Sequence, residues 1–339
     1  MRETFRGWYK PTEDDLRVLW EDGSIVLDAN VLLAPYRLPA GTRARLFNLV
    51  EAYQKQIWIP YQAGLEYQQN RLTVVLAQRA TYDEIRKELE AAERTLLNRR
   101  RDHPVMEPAD FEATVQRAVQ GIARYIDGAE AGHPEVLGDN RDDDLVRDRW
   151  DELLEGRIGE RLTVNEEWVK AADNRYDAGT PPGFEDAKKD KDKRARRYGD
   201  LILWCELLDH VKSRSQQAGT AVPVIFVTDD AKDDWWRISG GQRLGPRPEL
   251  VEEIGDAGGK PFWTYSVSRF LLAGSGRLGW EVPAEMTDAV EPAAEAKADV
   301  RAFQEGIAQA DAFGGEPIEE STVEPRSPEP EEEKGSDLS

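Results

Sequence analysis

Two short stretches of this chain are apolar at nearly every position and run into acid. "SIVLDANVLL" begins at Ser24 and "VPVIFVTDD" begins at Val222. Branched apolar residues at successive positions, rather than alternate ones, describe strands covered on both faces, as in a parallel sheet between helix layers. A chain with these two segments must therefore build an α/β core around them. Their acidic ends are where the pattern breaks.

The surrounding sequence supplies the other layers. Residues 12 to 21 open with Thr12 and early acids and read as an entry helix, turned at Asp22-Gly23 into the first strand. Leu46, Leu49, Val50 and Tyr53 then recur at helical spacing before a second short strand, "IWIP". From Tyr61 to about Arg101 the pattern is helical, with further helices expected at about 108 to 130, 142 to 155 and 163 to 176. No strand signal interrupts them, so residues from about 75 to 180 read as a helical insertion.

Alternation returns after "DAGTPPGFEDAKKDKDKRARRYGD". The helix "LILWCELLDHVKSRS" precedes the strand at Val222, and "RPELVEEIGDAGG" precedes a last strand, "KPFWTYS". The expected architecture is a three-layer α/β domain over residues 1 to 275 with a central parallel sheet. A polar helix is expected over 284 to 313. From Gly314 onward nine acids stand against two bases among Pro and Ser, which reads as a disordered acidic tail able to meet a protein partner.

Composition narrows the function. With 45 basic and 66 acidic residues in 339, the net charge of −21 argues against bulk attraction to nucleic acid or anionic membrane. A polyanionic partner would need a local basic patch or metal ions. The single cysteine, Cys205, rules out an internal disulfide framework and, with only three histidines, a Cys-rich zinc site. No signal-peptide core and no run of about 18 uncharged apolar residues is present, so a cytoplasmic, non-membrane protein is expected.

In an open parallel sheet, ligands bind beyond the carboxyl ends of the strands. Asp28 closes the first strand, and Thr228, Asp229 and Asp230 close the strand at Val222. Glu66 lies about two helical turns past "IWIP", and Asp200 stands in the first turn of an apolar helix. Taken singly, each has a bland role as a cap, a turn or a solvated helix residue. Taken together, clustered carboxylates repel unless a cation intervenes, and an all-oxygen donor set suits Mg²⁺ or Mn²⁺. Such ions serve phosphodiester hydrolysis by neutralising phosphate and activating water.

At these residues the chain resembles the PIN domain, a fold of toxin, RNA-processing and repair nucleases. The matching pieces are "VLDANVLL", "IPYQAGLEYQQNR", "RRYGDLILW" and "FVTDDAKDDWW", in that order. More narrowly it resembles larger bacterial PIN-like proteins that carry a "PPGF-x-D-x-x-K" element before the third acid, here "PPGFEDAKK". The resemblance implies a metal-dependent ribonuclease or structure-selective nuclease, leaving 5′-phosphate and 3′-hydroxyl ends. It implies Asp28, Glu66, Asp200 and Asp230 as catalytic and metal-binding acids, with Asp229 a fifth metal candidate. Asn30 and Thr228 would orient ligands or water.

Basic residues near the acids are candidates for the nucleic acid backbone, RNA being expected ahead of DNA. Lys188 to Arg197 holds seven basic residues against two acidic ones, with Lys188, Lys189, Arg196 and Arg197 as contacts. Asp186 and Lys189 of the Pro-Pro-Gly element are candidates to order that loop or touch phosphate, and Arg71 and Lys232 to touch phosphate or pair with the acids. Trp235 and Trp236 read as core ahead of base-stacking. The rival readings are a PIN-like binding module without catalysis and a phosphatase built on a strand-end Asp. The latter needs an acid two residues on, where Asn30 stands.

Overall fold

The computed structural model describes residues 1–100, 107–131, 144–188 and 197–281. The expected polar helix over 284 to 313 and the acidic tail over 314 to 339 lie outside the described residues. So do His103 and His133.

Four strands form one parallel sheet: β1 (Ser24–Leu27), β2 (Ile57–Trp58), β3 (Val222–Val227) and β6 (Gly259–Tyr265), in the order β2-β1-β3-β6. Every residue of β1 and β3 is buried, as the unbroken apolar runs require. From β1 the chain goes first to β2 on one side, and later returns to β3 on the other. The carboxyl ends of β1 and β3 therefore flank the point where the sheet's winding reverses, which is where open α/β sheets bind ligands. The expected first strand is shorter than its apolar run. It stops at Leu27, and Asp28 caps a short helix α2 (Ala29–Leu33) by accepting from the Ala29 amide.

One face of the sheet is covered by α1 (Glu13–Asp22), α3 (Ala40–Ala52) and a terminal helix, α10 (Val267–Arg277). Thr12 and Asp15 close a reciprocal cap on α1. Trp20 stacks on Phe270 and tilts against Tyr265, and Gly274 lets the helices close: a Cβ there would lie 2.7 Å from Leu49 and 3.0 Å from Trp20. The other face is covered by α8 (Gly199–Ala218) and α9 (Pro248–Asp256), with Trp204 edge-on to Phe262 and Trp235. Trp235 and Trp236 are buried, in keeping with the core reading.

The helical region is part core and part projection. Helix α4 (Tyr61–Arg100) is a single helix roughly 60 Å long by its residue count, and α5 (Pro108–Ala131) turns back along it, tied by Arg86 to Asp127 and Glu130. The expected insertion reached to residue 180, but α6 (Leu145–Leu154) rejoins the main core. Trp150 of α6 is edge-on to Phe47 and donates its Nε1–H to the Leu32 carbonyl. Beyond it, Ile59 and Ile158 bridge at the edge of the sheet, and α7 (Glu166–Asp177) packs on the start of α8 through Tyr176 and Tyr198. The sequence pattern gave no sign of the antiparallel hairpin of β4 (Trp236–Ser239) and β5 (Gln242–Pro246), which stands apart from the main sheet.

Candidate acid centre

The ends of β1 and β3 are knotted together by side chains. The Asp28 amide extends the ladder by donating to the Val227 carbonyl at 3.0 Å, and Thr228 donates its hydroxyl to Asp28 Oδ2 at 2.7 Å. Asn30 donates to the same Oδ2 at 2.5 Å and to Thr228 Oγ1 at 3.0 Å, while its Oδ1 accepts from the Asp229 amide. Thr228 Oγ1 also accepts from the Asp230 amide. Asn30 and Thr228 thus orient Asp28 and fix the loop that carries Asp230.

The pair Asp229-Asp230 is resolved by contact. Asp229 is exposed and turns its Oδ1 to the Val267 amide at 2.9 Å, serving the start of α10 rather than the acid set. Asp230 faces inward. Its Oδ1 accepts from the Lys232 amide, and its Oδ2 lies 3.1 Å from Lys232 Nζ.

Glu66 reaches the centre from the second turn of α4, with Gln62 donating to its Oε1 at 2.7 Å. It packs against the chain beside Asp200: a Cβ on Gly199 would stand 2.5 Å from Glu66 Oε1, so only glycine admits this approach. Asp200, in the first turn of α8, places Oδ2 2.8 Å from Lys232 Nζ. The Pro-Pro-Gly element closes the remaining side. Gly183 has φ +88°, and a Cβ there would meet Tyr176 Oη at 2.5 Å and Asp200 Cβ at 3.3 Å. Its amide donates to Asp234 Oδ2 at 2.8 Å, and Arg175 donates to the Pro181 carbonyl.

Among the candidate substrate contacts, four are engaged with charges or rings of the chain itself. Asp186, buried at 5% exposure, sits 3.3 Å from Lys232 Nζ inside the acid centre. Lys232 itself is held by Asp186, Asp200 and Asp230 together. Arg197 is buried against Asp173 and the Tyr198 ring. Arg71 pairs with Asp144 at 2.6 Å rather than with the acid centre. A long cation facing buried, unpaired carboxylate is drawn inward, because desolvated charges must be matched. The side chain of Lys188, and all of Lys189 and Arg196, lie outside the described residues. His210 stacks on Trp58 near Ser24, at the far end of β1 from Asp28.

The electrostatics show a surplus of negative charge. Burial, then Glu66, Asp200 and Asp230, push the Asp28 carboxyl up to about 8 against the pull of its Thr228 hydrogen bond. Burial also raises Glu66 and Asp200, Lys232 opposing in both cases. Lys232 is held above the ordinary lysine value by Asp200, Asp230 and Asp186 in spite of its burial. Asp234, missed in the sequence, is fully buried and pushed up to about 6 by burial and by Asp200. Its only sequence signal was a second acid pair four residues past the first.

An all-oxygen set of this kind has the chemistry of a hard divalent ion site. Among the described residues no group of three or more His, Cys, Asp or Glu is arranged to hold a metal ion. Lys232 supplies the neutralising charge instead. Crowded acids are relieved by a cation or by holding a proton, and Lys232 gives the first to Asp186, Asp200 and Asp230.

A family model described as a PIN-like domain matches residues 24–250, which takes in every element of the centre. No curated protein and no solved structure matches the chain. No helix among the described residues is long and apolar enough to cross a membrane.

Proposed function

The chain belongs to the PIN-like domain family, whose members are generally nucleases, and from this premise we propose that it is a metal-dependent endonuclease with RNA as its preferred substrate. The observation that carries the reading is the surplus of buried carboxylate at the junction of β1 and β3. Acids pushed upward by burial and by one another are costly to keep, and no packing demand accounts for them. Asp28, Glu66, Asp200 and Asp230 would hold Mg²⁺ or Mn²⁺. When bound, such an ion neutralises phosphate charge and lowers the pKa of water for attack on phosphorus.

The chain's own groups have definable parts. Asn30 and Thr228 fix the rotamer of Asp28, so its oxygens stay aimed while a substrate arrives. Lys232 keeps Asp186, Asp200 and Asp230 from repelling one another apart, and its Nζ is the cation at hand for a phosphate oxygen. Asp234 and Arg175 pin the Pro-Pro-Gly loop and thereby Asp186. The phosphatase alternative lacks its second acid, since the side chain at position 30 is an amide donating to Asp28.

The test is cleavage of labelled RNA and DNA by the full-length protein in Mg²⁺, Mn²⁺ or chelator, beside an Asp200→Asn variant. We expect metal-dependent cuts bearing 5′-phosphate, slowed about 10³-fold by the substitution, equivalent to about 4 kcal/mol of barrier. Cleavage that survives chelator or the substitution would defeat the mechanism. Binding with no cleavage under any metal would favour a non-catalytic PIN-like module.

A further inference from the structure

The hairpin β4–β5 is fastened to the acid centre at one point. Trp236 donates its Nε1–H to the Asp230 carbonyl at 2.6 Å. Two glycines, Gly240 at φ +57° and Gly241 at φ +75°, make the tight two-residue turn at its far end. Arg243 lies over the Trp236 ring, its guanidinium carbon 5.3 Å from the ring centroid. It is half-buried and senses the charge of Asp229 and Asp230, yet no carboxylate among the described residues pairs with it. Among the described residues, four other cations near the centre are paired: Lys232 with three acids, Arg197 with Asp173, Arg175 with Glu253 and Arg247 with Glu249.

Trp236 also lines a cavity of about 220 Å³ with Trp8, Arg237, Arg247 and Pro248. Trp8 is 57% exposed, and Arg237 lies over its ring at 5.4 Å while donating to its carbonyl. The Trp8 segment is seated firmly, since a Cβ on Gly7 would lie 2.7 Å from Pro248 Cα. A guanidinium held over a ring still has N–H groups to offer an oxyanion, and an exposed indole offers a face to any base. The ring that carries Arg243 is hydrogen-bonded to Asp230, and that same Trp236 shares its cavity with Trp8.

We propose that this hairpin and Trp8 form a strand-binding subsite for single-stranded nucleic acid, Arg243 holding a phosphate beside the acid centre and Trp8 stacking a base further along the strand. The inference rests on the nuclease reading for its substrate class and adds where the strand is gripped. It gives a chain of −21 a local grip on a polyanion, a guanidinium and an aromatic face.

The experiment measures binding of fluorescein-labelled single-stranded RNA and DNA in chelator, across a salt series, and KM and kcat for cleavage in Mn²⁺. Arg243→Ala should weaken binding about tenfold and make the slope of log K against log salt shallower by about 0.7. Trp8→Ala should weaken binding about tenfold with the slope unchanged. Arg17→Ala, an equal charge loss on the exposed face of α1, should change neither. Arg243→Lys should recover the salt slope but not the full affinity, and in cleavage the Ala variants should raise KM at constant kcat. If the wild type cleaves and neither substitution alters affinity or KM, the subsite is wrong and the nuclease reading stands. If the wild type binds through Arg243 and Trp8 but never cleaves, the nuclease reading falls and the subsite stands. A wild type that binds no nucleic acid overturns both.

Discussion

Two of the buried carboxylate centres among the described residues differ in how they are matched. At the base of the helical projection, Asp144 accepts from Tyr36 Oη at 2.7 Å and 2.9 Å, from Arg71 at 2.6 Å, and from the Arg147 amide at 2.9 Å, capping α6. Tyr67 completes the set through Tyr36. One acid there is met by one base and by donors on both oxygens. At the ends of β1 and β3, Asp186, Asp200 and Asp230 share a single ammonium, Lys232, while Asp28 and Glu66 beside them are met by neutral donors. A carboxylate that serves packing is closed by its partners, whereas a surplus of acid marks a candidate functional site.

Substitution should separate the two centres most sharply. Asp144→Asn leaves Arg71 buried without its ion partner and is expected to cost about 3–5 kcal/mol in urea unfolding. Asp200→Asn removes repulsion instead, and should leave stability unchanged or raise it at pH 8. Equal losses from both would erase the distinction. Lys232→Met should come next, costing about 1–3 kcal/mol of apo stability at pH 8, discounted because the side chain is 26% exposed. Added Mg²⁺ should restore that loss, and an unaffected melting curve would mean the ammonium does not hold the acids together.

The smallest effect is on pH dependence. Asp28, raised from 3.8 to about 8 in the fold, binds a proton more tightly when folded than when unfolded. Its stabilising share is complete below about 3.8 and is lost as pH rises through about 8, with Glu66, Asp200 and Asp234 acting in the same direction. The melting temperature of the metal-free protein should therefore fall by several degrees between pH 5 and pH 8. Asp28→Asn should flatten that slope, whereas a slope of opposite sign would show the acids already compensated.

The strand-end acids were legible because each ends or follows an apolar run whose burial is dictated locally. Asn30 and Thr228 were legible for the same reason, since their spacing from Asp28 and Asp230 is short. The cations were not. Lys232, Arg71 and Arg197 look alike in sequence as candidates for phosphate, but each is bound to an acid distant in sequence or drawn from another element. Arg243 was passed over because its hairpin carries only a short pattern around Gly240-Gly241, and its orientation depends on Trp236. Asp144 was invisible because its partners stand 73 and 108 residues away.

By itself, the sequence determined that β1 and β3 must be buried and that acids stand at their ends, because apolar periodicity is a local property of the chain. Tertiary structure decided the strand order that brings those ends together and the glycines that admit Glu66 to Asp200. It also decided which cation each acid received. Coulomb energy depends on separation in space and on exclusion of water, and both are fixed only when segments nearly two hundred residues apart pack against one another.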